Sequence, residues 1–323
     1  MFKFILAALV FISFNANARD YISVVGSSTV YPFATLVAEK LASEGKIKSP
    51  IIESTGSGGG HKLFCAGIGV GHPDITNSSR AQKAKEFKLC QDNGVTDIIE
   101  IVVGNDGIAF AYNVEFEGYE NGINLTKEQI WQAMARDNKN APKTWYDIDK
   151  SLPKVEIQIM APPPSSGTRD AFDSLVMKKG CIKDMLVADG ECKNYREDGH
   201  VIEGGENDEL YVEFVHQNPG AFGIFGYSFL ANNEDKIAAS KVNGVEIGLD
   251  TIQSYEYPIA RPLFFYVKKQ HVGIIPGIET YMAEFISEEA VEGYLAEAGL
   301  VPLDEVTTEQ MKLTVENLET YSQ

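Results

Sequence analysis

The sequence predicts an α/β fold in two lobes, each a mainly parallel sheet flanked by helices, joined by a two-strand hinge. Short β-branched runs alternate with segments of helical spacing from the first third of the chain onward. At 323 residues the chain also exceeds what one hydrophobic core usually serves. Two β-rich runs, at residues 98–112 and 257–267, stand far apart and suit two passages between lobes. On this reading lobe 1 comprises residues 19–106 and 259–323, and lobe 2 is the inserted stretch 107–258.

Taken in order, the chain opens with Lys3, an apolar run at residues 4–14 and Ala16-Asn17-Ala18. That is the pattern of an export signal cut before Arg19, so a protein outside the cytoplasm is expected, with residues 1–18 removed. Residues 21–25 read as a strand, followed by Gly26-Ser27-Ser28-Thr29 and a helix carrying Val30, Phe33, Leu36, Val37 and Leu41 on one face, with Ser27 or Ser28 as its cap. Residues 51–54 repeat the plan, with the glycine turn Gly56-Ser57-Gly58-Gly59-Gly60 before a helix through Leu63 and Phe64; residues 74–77 form a third strand ending in Ser78-Ser79-Arg80. The run at 98–112 is interrupted by Gly104-Asn105-Asp106. In the inserted stretch, Thr126 and Gln129 make a capping-box pattern, residues 155–160 a strand, and Pro162-Pro163-Pro164 a stiff lead into Ser165-Ser166-Gly167-Thr168, after which residues 170–177 are helical. Residues 278–298 and 308–318 read as closing helices.

Three corners rich in glycine and hydroxyl residues therefore each follow a strand and precede a helix. Helix N-termini offer unpaired N–H groups and the positive end of a dipole, and short hydroxyl side chains add donors, so three converging corners would cage a small oxyanion. Arg80 and Arg169 each follow a corner directly and could give paired hydrogen bonds to one anion, although Arg169 has Asp170 and Asp173 within ion-pairing reach. The glycine turn lacks the Lys-Ser/Thr ending of a phosphate-binding P-loop, since Gly60 is followed by His61-Lys62-Leu63.

A formal net charge of -18 excludes binding to nucleic acid by phosphate neutralisation. It does not exclude a small anion, because surface charge beyond a Debye length of roughly 8 Å is screened from a buried pocket. No G-x-S-x-G elbow surrounds any serine, Ser43-Glu44-Gly45-Lys46 lacks its companion motifs, and none of His61, His72, His200, His216 or His271 is placed by spacing near a corner serine, so no enzyme is expected. The four cysteines form an even set in an exported chain, most simply Cys65 with Cys90 and Cys181 with Cys192, although sequence alone allows three connectivities. His61, Cys65, His72 and Cys90 match no usual zinc spacing, and neither a metal nor a cofactor is expected.

The segments VVGSSTVYPF, ESTGSGGG, DITNSSR and APPPSSGTRDAF, in this order and spacing, resemble the periplasmic phosphate-binding protein of the ABC-type phosphate importer. The resemblance implies a two-lobe type II periplasmic binding protein, monomeric, closing over one inorganic phosphate and delivering it to an inner-membrane ABC permease. It carries phosphate contacts onto Thr29, Val30, Ser57, Ser166, Gly167 and Thr168, with Ser28, Ser79, Arg80 and Arg169 beside them. Two departures stand out. An Asp that accepts the proton of hydrogen phosphate in the family is Ser79 here, and an Arg four residues before the last corner's serine is Pro162. Arg80, helped by Arg169, is then the expected cation, and Asp74, Asp106 and Asp170 are the candidate proton acceptors. The alternative is a receptor for sulfate, molybdate or an organic phosphate on the same scaffold. A tight cage with two arginines and no aromatic shelf argues against a large organic ligand, while Tyr31 and Phe222 keep that alternative open.

Overall fold

A computed structural model describes residues 19–323 apart from 117, 118, 120, 121, 206 and 208. The export signal expected at residues 1–18 lies outside the described residues. Three strand–helix units open the fold: β1 (Ser23–Gly26) and α1 (Tyr31–Ser43), β2 (Ile51–Ser54) and α2 (Gly56–Phe64), β3 (Ile75–Ser78) and α3 (Ala84–Asp92). β1 pairs in parallel with both β2 and β3, so the carboxyl ends of the three strands, where the corners lie, share one edge.

Local chemistry moves two boundaries from their expected places. α1 begins at Tyr31 rather than after a serine cap, with Pro32 in its first turn, while the Ser27 Oγ instead accepts the Thr29 N–H at 3.2 Å. The glycines at 56–60 are not a turn before α2 but its first residues. A Cβ at Gly60 would lie 2.5 Å from both the Gly26 Cα and the Thr76 Oγ1, so glycine is what lets the helix lie against β1 and β3.

The chain then runs along β4 (Ile98–Asn113), a single strand that passes through Gly104-Asn105-Asp106 without stopping. At Gly104 a Cβ would meet Leu300 at 2.6 Å, so here too the glycine serves a close approach, not a break. Beyond it come β5 (Asn124–Leu125), α4 (Lys127–Met134), α5 (Trp145–Ile148), β6 (Ile159–Ala161), α6 (Gly167–Phe172), β7 (Val201–Glu203), α7 (Glu209–Gln217), β8 (Phe222–Gly226), α8 (Tyr227–Ala231), β9 (Ile237–Ala239), β10 (Lys241–Val242) and α9 (Leu249–Gln253). Thr126 caps α4 and completes the expected box with Gln129. The strand expected at 155–160 is confined to β6, and α6 continues through a wider π turn at Asp173–Met177. The return strand β11 (Ala260–Lys268) lies antiparallel between β3 and β4, with a register shift between Leu263 and Phe264. α10 (Ile278–Phe285), a π turn at Glu289–Tyr294, α11 (Leu295–Glu297) and α12 (Glu305–Asn317) close the chain, where one continuous helix over 278–298 had been expected.

The sheet order is β2-β1-β3-β11-β4-β8-β6-β7, with β9 also on β4, so β4 is shared between the halves. Each half packs a large core against this shared strand, together with a smaller apolar cluster. Val24, Val37, Leu41, Ile99, Phe265 and Met282 belong to one; Phe110, Trp131, Trp145, Ile159, Phe172 and Phe222 belong to the other. Fully burying such a side chain contributes about 1.5–3 kcal/mol relative to leaving it exposed. Disulfides join Cys65 to Cys90 and Cys181 to Cys192. Among the described residues no helix is long and apolar enough to cross a membrane.

Candidate functional site

The carboxyl ends of β1, β2 and β3 face the start of α6 across a cleft of about 920 Å³. Ser27, Ser28, Gly56, Ser57, Ser79 and Arg80 line one side, Ser165, Ser166 and Asp170 the other, and Arg261 joins them from β11. The corners foreseen from sequence thus share one cavity. Its charged lining is Arg80, Lys83, Lys178 and Arg261 against Asp170 alone, an excess of positive charge inside a chain of net charge -18.

Hydrogen bonds preset each corner. The Ser79 N–H donates to the Ser57 Oγ at 3.0 Å, and the two hydroxyls lie 3.0 Å apart, which ties the loop after β3 to the first turn of α2. Ser166 caps α6 by accepting the Thr168 N–H at 3.2 Å. Behind the loop after β3, the Gln82 side-chain amide donates to the His61 Nδ1 at 3.2 Å, which leaves the proton on Nε2 to donate to the Ser78 Oγ at 3.1 Å. Ser78 in turn donates to the Arg80 carbonyl at 2.6 Å. Burial pushes the His61 ring down to about 4, so this relay is built on a neutral imidazole.

The expected cations fare differently. Arg80 lines the cleft, but its two Nη groups grip Glu86 at 2.9 and 2.8 Å, a pairing that α3 brings within reach. Arg169 is not brought to the cleft. Its guanidinium turns into the second half, lies 3.4 Å from the Tyr195 ring centre, and donates to Asp173, Glu203 and the Pro162 carbonyl at 3.2, 2.8 and 3.0 Å. Thr29, Val30, Gly167 and Thr168 are not among the cavity-lining residues, although Thr29 and Gly167 stand at its edge in mutual contact. A Cβ at Gly167 would lie 2.4 Å from the Thr29 Cα. Tyr31 is partly exposed at the head of α1, and Phe222 is buried in the second core, so neither forms a shelf in the cavity.

Of the three candidate carboxylates, Asp170 lines the cleft. Asp74 sits at the opposite end of β3, buried, accepting from Arg19 at 2.6 Å, the Ser23 N–H at 2.7 Å and the His271 Nδ1 at 2.6 Å. Asp106 faces Arg261 across the β4–β11 ladder at 3.2 Å; burial pushes its carboxyl up while the guanidinium works the other way.

Arg261 is the residue that sequence reasoning missed. It is 7% exposed, and its Nη2 donates to the Thr29 Oγ1 at 2.9 Å and to the Gly167 carbonyl at 3.2 Å. Among the described residues, no group of three or more His, Cys, Asp or Glu side chains is arranged to hold a metal.

Residues 14–289 match the family described as PBP superfamily domain. The phosphate-binding protein PstS of Staphylococcus saprophyticus is 31% identical over 296 residues, covering 89% of this chain and 82% of that protein. Protein SphX of Synechococcus elongatus is 29% identical over 260 residues, 78% of this chain and 69% of its own. Among solved structures, a possible phosphate binding protein from Planctomyces limnophilus superposes with a TM-score of 0.75 at 29% identity, covering 92% of this chain and 98% of that one. An ABC-type phosphate transport receptor from Vibrio cholerae shares the fold with a TM-score of 0.63 at 20% identity, over 87% and 100% of the two chains. A type II two-lobe architecture, a matching family model and relatives of this closeness along most of its length place the chain in the phosphate-binding protein family of the PBP superfamily.

Proposed function

We propose that this protein binds one inorganic phosphate in the cleft and delivers it, unchanged, to an inner-membrane ABC importer. The observation that carries the reading is that Ser57 and Ser79 from one side and Ser166 from the other line a single cavity, with the first turn of α2 also facing it. Ser28, Thr29, Val30, Gly167 and Thr168 complete the donor set, and Arg80 supplies charge that Glu86 holds in place. Lobe 1 (19–106 and 259–323) and lobe 2 (107–258) then act as jaws. The cavity is several times larger than one tetrahedral oxyanion, which leaves room for the lobes to draw closer when both donate to the same ion. Export to the periplasm, removal of residues 1–18, a monomeric state and a binding role without turnover complete this reading.

Selectivity is assigned to Asp170, the candidate carboxylate that lines the cavity. Hydrogen phosphate can donate its proton to a carboxylate, whereas sulfate at neutral pH has none to give and would face an unpaired acceptor or a repelling charge, a penalty of about 1–3 kcal/mol. Calorimetry with phosphate, sulfate, arsenate and phosphite tests both claims. The wild type should bind phosphate and reject sulfate, and Asp170→Asn should lose roughly tenfold or more of that discrimination. Wild-type protein that prefers sulfate, or does not bind phosphate, would refute the reading.

A further inference from the structure

We propose that Arg261, which no motif identifies, is the cation that meets the anion and the latch that couples its capture to lobe closure; this rests on the phosphate reading of the cleft. Arg261 stands opposite Asp106 in the ladder between β4 and β11, the two strands that pass between the halves. Its guanidinium touches three parts of the molecule at once. Nε donates to the Asp106 Oδ2 at 3.2 Å on the hinge, and Nη2 donates to the Thr29 Oγ1 at 2.9 Å on one side and to the Gly167 carbonyl at 3.2 Å on the other. Among the described residues the Nη1 edge meets Asp170, at 3.6 Å, and the Asp170 side chain is largely exposed.

The three arginines near the corners differ in how far they are committed. Arg169 points away, and both Nη groups of Arg80 are spent on Glu86. Arg261 lines the cavity, and among the described residues its Nη1 is met by one long contact, with Asp170, a lining carboxylate that can swing into solvent or accept the ligand's proton. An anion arriving between Ser57 and Ser166 can take that edge while Nε and Nη2 stay fixed. The same guanidinium then carries the anion's charge and the bond between the lobes, so filling the site holds Thr29 against Gly167. A lysine could not do this, because a single ammonium cannot hold Asp106, Thr29 and Gly167 while presenting a second edge.

The test compares wild type, Arg261→Lys, Arg261→Met and Arg80→Met by phosphate calorimetry and by small-angle scattering with and without phosphate. Wild type should bind and contract. Both Arg261 variants should lose about 100-fold or more in affinity, the loss expected when one partner of a buried charged contact is removed. At saturating phosphate neither should contract, whereas Arg80→Met should bind more weakly yet still contract. If Arg261→Met does not fold, Arg261→Lys, which keeps a charge beside Asp106, carries the test unchanged. The latch is overturned if either Arg261 variant binds within threefold of wild type or contracts as wild type does. A wild type that ignores phosphate refutes the ligand instead, and the two failures are told apart by the wild-type arm.

Discussion

At the scale of single residues, the cleft is held in shape by groups that do not line it. His61 fixes the Ser78-Ser79-Arg80 loop through one donated and one accepted hydrogen bond, which only a neutral ring can make. Its ring is pushed down to about 4 by burial, against an ordinary value of 6.5. Between those values the unfolded chain takes up a proton that the folded protein refuses, so folding stability falls as pH drops from about 6.5 to about 4, by up to about 1.4 kcal/mol per pH unit. Above 6.5 both states are neutral and the slope from this residue vanishes. His61→Gln should therefore be less stable than wild type at pH 7 but lose less on acidification, as read from urea unfolding at pH 7, 5.5 and 4.5. Parallel pH slopes in the two proteins would show that the imidazole is not the titrating group.

At the scale of elements, the start of α6 decides whether the halves can meet. Ser166 caps the helix, and Gly167 brings its backbone against Thr29 where any side chain would intrude to 2.4 Å. Gly167→Ala should push the halves apart at Thr29, and should bind phosphate at least about tenfold more weakly, since regaining the observed approach would cost a strained contact of about 1–3 kcal/mol. Equal affinity would mean that the Thr29–Gly167 contact is irrelevant to binding. These elements were largely legible in the chain. β1 to β3, their following helices and the cap at Thr126 follow from apolar period and hydroxyl placement, which depend on neighbours in sequence. What was not legible depends on neighbours in space. The glycines of α2 look like a turn because their use, close packing on Gly26 and Thr76, involves other elements. The run at 278–298 has helical period throughout, but nothing in that period announces its division into α10, a π turn and α11. Spacing puts Arg169 beside a corner but not the direction of its side chain, which follows Tyr195 and Glu203. Arg261 sits in an apolar strand segment, 94 residues from Gly167 and 232 from Thr29, and only the pairing of β11 with β4 brings it to the cleft.

At the scale of the whole molecule, a net charge of -18 would repel an approaching dianion were the cleft not lined by Arg80, Lys83, Lys178 and Arg261. The arginines are partly neutralised by Glu86, Asp106 and Asp170, which leaves Lys83 and Lys178, one from each side, as the remaining positive lining of the cavity. Fields of this kind act on encounter more than on residence, and salt screens them over a Debye length of roughly 8 Å at physiological strength. Replacing both lysines with alanine should therefore slow phosphate association several-fold at low ionic strength, leave dissociation nearly unchanged, and lose its effect as salt is raised. Stopped-flow kinetics over a salt series separates this from a role in direct coordination. A ligand contact would raise the dissociation rate at every salt concentration, whereas a guiding field would leave that rate alone and flatten the association rate of the wild type onto that of the variant. If association is equally fast in both proteins at low salt, the positive lining does not steer the ion, and the acidic surface must be too well screened to oppose it.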